Sequence, residues 1–139
     1  MSRPSSSTTG MFGDRGGAWV DEETPPTPLT PRGHRRLRAE AGWAEWADAR
    51  GVALQVFRLA GIYGPGRLPL ARLRKGVPMV AEADAPWTNR IHADDLVAAC
   101  LAAMHKGVDG QVYNACDGSP GNMTDYFNRI ADRVGLPRP

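Results

Sequence analysis

The chain has 139 residues, enough for one domain with a moderate core. Hydrophobic residues make up 42% and the formal net charge is +2, which gives no electrostatic ground for a nucleic-acid or membrane-surface partner. No apolar run approaches the ~20 residues that span a bilayer, and the opening MSRPSSSTTG has no hydrophobic segment of a secretory signal, so a cytoplasmic location is expected.

Residues 1–31 are rich in Ser, Thr, Gly and Pro and predict loop. Residues 33–50 predict a helix with Leu37, Ala41 and Ala44 on its packed face, Trp43 and Trp46 beside them, and Gly51 as C-cap. The cluster Arg32, Arg35, Arg36 and Arg38 on it reads as a solvated face. A buried strand follows over 53–60, with Arg58 expected to meet a carboxylate near the end of the sheet. Gly64, Pro65 and Gly66 break it, and 68–76 predicts a short helix. Residues 94–105 carry Leu96, Val97, Cys100, Leu101 and Met104 at helical spacing, with Asp94 as expected N-cap. A strand is predicted over 111–116, then a helix capped by Thr124 with Phe127, Ile130, Ala131 and Val134 on one face. Helix, strand, helix, strand, helix is the order of an α/β fold with a parallel sheet. Cys100 and Cys116 are expected as buried free thiols. His34, His92 and His105 have no zinc-site spacing, so no metal is expected.

LQVFRLAGIYGPGR (54–67) is a strand running into a glycine-proline loop, and ligands of open α/β sheets bind just past strand ends. It resembles the sixth-strand signature of the NAD-dependent epimerase/dehydratase branch of the short-chain dehydrogenase/reductase superfamily. SSSTTGMFGDRGGAWVDE (5–22) resembles the end of that family's fifth strand and the following loop. NRIHADDLVAACLAAM (89–104), GQVYNACDGSP (110–120) and MTDYFNRIADRVGLPRP (123–139) resemble its late helix, last core strand and C-terminal substrate-side helix. The segments occur in the family's order over nearly the whole chain.

The resemblance implies an α/β fold: the C-terminal portion of an NAD(P)-binding Rossmann-like domain, with few parallel strands and a small substrate-side region. Residues 1–31 would be a loop-rich remnant of the fifth-strand region, and 32–139 the C-terminal half. It implies NAD or NADP as ancestral cofactor and a small-molecule or nucleotide-linked substrate, with oxidoreductase, epimerase or dehydratase chemistry. Thr8 falls in the slot of the hydroxyl that meets the substrate's reacting oxygen. Leu59, Ala60, Gly61 and Ile62 would line the nicotinamide side. Tyr63, Arg67 and Arg90 would face the substrate, the two guanidinium groups being suited to a phosphate or carboxylate.

Two departures restrict that reading. The family's Tyr-x-x-x-Lys pair, whose tyrosine exchanges a proton with the substrate, aligns with Arg32 and Arg36. Arginine stays protonated and cannot act as that acid and base, although Arg36 retains the charge to reach a ribose. The G-x-G-x-x-G turn that brings backbone N–H groups to a pyrophosphate is absent. The expectation is an atypical member represented by its C-terminal half, neither catalytic nor cofactor-binding alone, and inclined to self-associate without its N-terminal half. The alternative is a non-catalytic binding or regulatory module that reuses the family's substrate-side surface.

Overall fold

The computed structural model describes the backbone of residues 3–139 and side chains from Gly10 onward. Its centre is β2 (Leu54–Leu59), an almost wholly buried strand flanked in parallel by β1 (Arg3–Thr8) and β6 (Val112–Ala115). β1 runs in register from Arg3 opposite Leu54 to Thr8 opposite Leu59, and Val56–Leu59 pair with Val112–Ala115.

Alternation along β2 divides the core. Leu54 and Val56 face helix α1 (Pro31–Asp48) and meet Ala47, Trp46 and Val112. Phe57 and Leu59 face helix α3 (Ala93–Lys106) and meet Ala103, Ala99, Leu96, Tyr113 and Ala115. The steps from β1 to β2 and from β2 to β6 cross the sheet in one direction, yet their helices lie on opposite faces. The two crossovers therefore have opposite hands, and one departs from the usual right-handed form.

A second layer carries the loops past the strand ends. β3 (Gly61–Tyr63) pairs in parallel with β5 (Arg90–His92), and β4 (Trp87–Thr88) pairs antiparallel with β7 (Gly121–Asn122). Helix α4 (Met123–Val134) buries Ile130 and Ala131 against Leu73 of the short helix α2 (Leu70–Arg74). Gly135, at φ 67°, ends α4 in the left-handed conformation that favours glycine.

Several expectations are corrected. The predicted loop over 1–31 contains β1. RPSSST lacks the apolar alternation of a strand, and its backbone is organised instead by pairing along the length of β2. Met11 and Phe12, also read as loop, are buried. On α1 the packed face is Gly33, Leu37, Glu40 and Ala47, whereas Ala41 and Ala44 are exposed. The cause is charge: Arg58, 6% exposed on β2, takes Glu40 as partner at 2.7 Å and orients the helix. Trp43 stays exposed and meets Trp46 edge-on at 5.5 Å. The caps expected at Asp94 and Thr124 lie two residues earlier, at His92 and Asn122. The short helix covers only Leu70–Arg74, Val134 is exposed, Cys116 is exposed and Cys100 half-buried.

Candidate functional site

Four elements converge past the C-terminal ends of β2 and β6. The parallel register sets Tyr63 opposite His92, with ring centroids 5.2 Å apart and edge to face. His92 Nδ1 accepts from the Asp94 N–H at 3.2 Å, which fixes the ring as the cap of α3. Gly64 passes directly beneath that ring: a Cβ there would lie 3.3 Å from His92 Nε2, and its φ of 146° excludes most other residues.

Burial raises the Tyr63 pKa above its ordinary value, and the Asp117 carboxylate, by charge and hydrogen bond, raises it further. The phenol is therefore held protonated and is a donor at neutral pH. Asp117 comes from the turn after β6. Its N–H donates to the Arg90 carbonyl at 2.7 Å, and its Oδ1 accepts from the Ser119 N–H at 3.0 Å.

Arg90 is the centre of the group. Its Cζ lies 3.5 Å from the centroid of the Tyr126 ring on α4, a cation–π stack. Burial lowers its pKa, while Tyr126, Asp117 and Asp125 oppose that shift. Among the described residues no carboxylate comes within ion-pair distance of it. Asp125 is instead directed to Arg129.

The sequence profile of the NAD dependent epimerase/dehydratase family matches residues 5–116. The chain belongs to that family. It is 30% identical over 133 residues to Protein YeeZ of Escherichia coli K12, covering 96% of this chain and 46% of YeeZ. A functionally unknown conserved protein from Silicibacter pomeroyi DSS matches at TM-score 0.84 and 41% identity, over 99% of this chain and 48% of that structure. A Bacillus anthracis dTDP-glucose 4,6-dehydratase solved with NAD shares the fold at TM-score 0.81 and 21% identity, over 97% of this chain and 46% of that one. The chain thus spans about half the length of the relatives it matches.

The epimerase/dehydratase residues expected from the sequence separate in space. Tyr63 and Arg90 come together, whereas Arg67 lies exposed on the turn closed by its own N–H to the Gly64 carbonyl at 3.1 Å. Arg32 and Arg36 are exposed on the first turns of α1. Thr8 ends β1 opposite Leu59, and its side chain lies outside the described residues. Leu59 and Ile62 pack onto the core. The N–H groups of Ala60 and Gly61 are engaged by the carbonyls of Ala115 and Asn89, each at 3.1 Å. Asp117 and Tyr126 were not singled out from sequence. The Asp-Gly pair closing a strand was a readable signal for the first, but Tyr126 sits among the apolar residues of an amphipathic helix and carried none.

Among the described residues no glycine turn of the pyrophosphate-binding kind opens onto a helix. A pyrophosphate cradle needs a glycine turn opening directly onto a helix N-terminus. Here α1, α3 and α4 begin instead on the side-chain caps Thr30, His92 and Asn122, which accept from the N–H groups of Gly33, of Asp94, and of Thr124 and Asp125. No helix is long and apolar enough to cross a membrane, and no cluster among the described residues is arranged to hold a metal ion.

Proposed function

We propose that this chain forms the substrate-facing half of an NAD(P)-linked epimerase, dehydratase or oxidoreductase, and that it neither binds the dinucleotide nor turns over substrate by itself. The observation that carries this reading is the convergence of Tyr63, Arg90, Asp117 and Tyr126 beyond the strand ends, beside helices that offer no pyrophosphate site. Its members have complementary capacities: a protonated phenol donates, a carboxylate accepts, and a guanidinium attracts negative charge. Arg32 stands in the slot of the family's proton-exchanging tyrosine, and a guanidinium does not serve as a general acid and base. The chain's contribution is therefore to bind and orient the substrate.

Calorimetric titration of the purified chain with NADH and NADPH tests the reading. We expect no dissociation constant at or below ~10 μM, a threshold of about −7 kcal/mol. Binding tighter than that, or hydride transfer by the chain alone, would overturn it.

A further inference from the structure

We infer that the chain by itself pairs with a second copy along α3 and the outer edge of β1, about a two-fold axis normal to the sheet. The surface concerned is a margin of the sheet rather than the group of residues past the strand ends. It gives a place and a stoichiometry to the self-association expected from the sequence.

Helical spacing separates two roles on α3. Leu96, Ala99 and Ala103 lie on the sheet-facing side. Val97, Leu101 and Met104 follow them roughly a quarter-turn round the helix, and are 59%, 53% and 40% exposed. Asp95 and Lys106 fall on the opposite flank, and Asp94, Ala98 and His105 on the outward side. An apolar row on one flank, beside the sheet-facing side, is the surface that a neighbouring helix of the same layer covers.

The sheet indicates what that neighbour brings with it. α3 packs against β1 as well as against side chains of β2. Among the described residues β1 pairs with β2 alone, so it ends the sheet and presents a row of backbone groups along its other side. One neighbour has therefore to supply both a strand beside β1 and a helix beside α3. A second copy does so. A two-fold axis normal to the sheet sets the two β1 strands antiparallel, keeps both α3 helices on one face and runs them antiparallel at the ordinary helix spacing of about 8–10 Å. Leu101 then meets Leu101 of the second copy near the axis, and Val97 lies beside Met104 of that copy. Charge agrees with this orientation: α3 has Asp94 and Asp95 in its first turn and His105 and Lys106 in its last. Antiparallel packing puts the acidic end of each helix beside the basic end of the other and opposes the two helix dipoles, whereas parallel packing would bring like ends together. The contact is self-complementary and closes at two copies.

Sedimentation equilibrium of the full chain tests the inference, with a thermal melt of each variant to check folding. We expect a monomer–dimer equilibrium with a dissociation constant on the order of 10 μM. Leu101→Glu sets two like charges beside the axis and should weaken the dimer at least about tenfold. Ala98→Glu, on the outward side of the same helix, should leave it unchanged. In the wild-type chain, hydrogen exchange compared well below and well above the dissociation constant should slow along β1 and α3 as the dimer forms. If Leu101→Glu does not fold, that exchange map decides. The inference is overturned by a chain that stays monomeric up to about 0.5 mM, which would leave this margin to a different polypeptide. It is equally overturned by a dimer that a folded Leu101→Glu leaves intact, or by new protection that arises elsewhere, such as around Trp43 on α1. Neither readout involves a dinucleotide or a substrate, so failure here is separate from failure of the reading of the substrate side.

Discussion

Arg58 on β2 and Arg90 on β5 are the same residue type in two different sheets, and the molecule treats them in opposite ways. Arg58 lies inside the parallel sheet module, 6% exposed, with Glu40 at 2.7 and 3.4 Å, the Glu22 carbonyl at 3.5 Å and the Phe12 ring beneath it. Arg90 lies in the second layer with a ring beneath it and, among the described residues, no ion pair within 4.0 Å, Asp117 and Asp125 acting on it through charge at longer range. A guanidinium whose charge is answered within the chain fixes the structure: here it ties α1 to β2. One that stacks on a ring and meets carboxylates only at longer range does not tie elements together in that way.

The sharpest way to break the comparison is Glu40→Ala. It strands Arg58 as an unpaired buried charge, and urea denaturation should show a loss of about 3–5 kcal/mol. Replacing both partners by apolar residues, Glu40→Leu with Arg58→Met, should recover most of that loss, because no charge then remains buried. A Glu40→Ala cost below ~1 kcal/mol would mean that the pair does not hold the module together.

Next in size is Asn122→Ala. The Asn122 side chain accepts from the N–H groups of Thr124 and Asp125 at 2.9 and 3.1 Å and donates to the Glu82 carbonyl at 2.7 Å. Its loss should cost about 1–2 kcal/mol and loosen α4, which hydrogen exchange at the first turn of that helix would register.

Arg90→Gln should change stability by less than about 1 kcal/mol, since the lost stacking on Tyr126 is offset by relief of a desolvated charge. A loss comparable to that of Glu40→Ala would make Arg90 a structural residue like Arg58 and erase the contrast.

The smallest effect belongs to a pair at the surface. Arg138 hydrogen-bonds the Asp132 carboxylate at 2.8 and 2.9 Å and holds its pKa below the ordinary value. A depressed carboxylate pKa contributes stability above the unfolded value, and that contribution is lost as pH falls through the folded value. Asp132→Asn should therefore lower stability slightly at neutral pH, leave it unchanged below the folded pKa, and so make the acid side of the profile slightly shallower, as thermal melts across pH would show.

Local signals in the sequence account for much of the architecture. LQVFRL, apolar but for Gln55 and Arg58, has the character of a strand covered on both faces, and it is one. The GPG break, the periodic helix over 94–105, and the glycine ends of α3 and α4 are likewise visible as residue type and spacing. So is the partnership of Arg58 with an acid, since a charge inside an apolar strand requires one. The ordered family segments are also explicit in the sequence, and the profile match over residues 5–116 bears out those within that span.

What only the tertiary structure decided is what the chain brings together across distance. RPSSST is a strand because β2 offers it a continuous row of backbone partners, a property of residues about fifty positions away. His92 and Asn122 displace the expected caps because their side chains turn back onto the following N–H groups while neighbouring strands hold their backbones extended. Rotation of α1 toward Glu40 follows from burial of Arg58, so helical periodicity alone selects Ala41 and Ala44 wrongly. The distinction between Arg67 and Arg90 depends on Tyr126, 36 positions beyond Arg90, arriving under one guanidinium and not the other. Residue type determined which groups could carry charge or cap a helix. Only packing determined which charges were answered, because that depends on the carboxylates and rings that distant segments deliver to the same few ångströms.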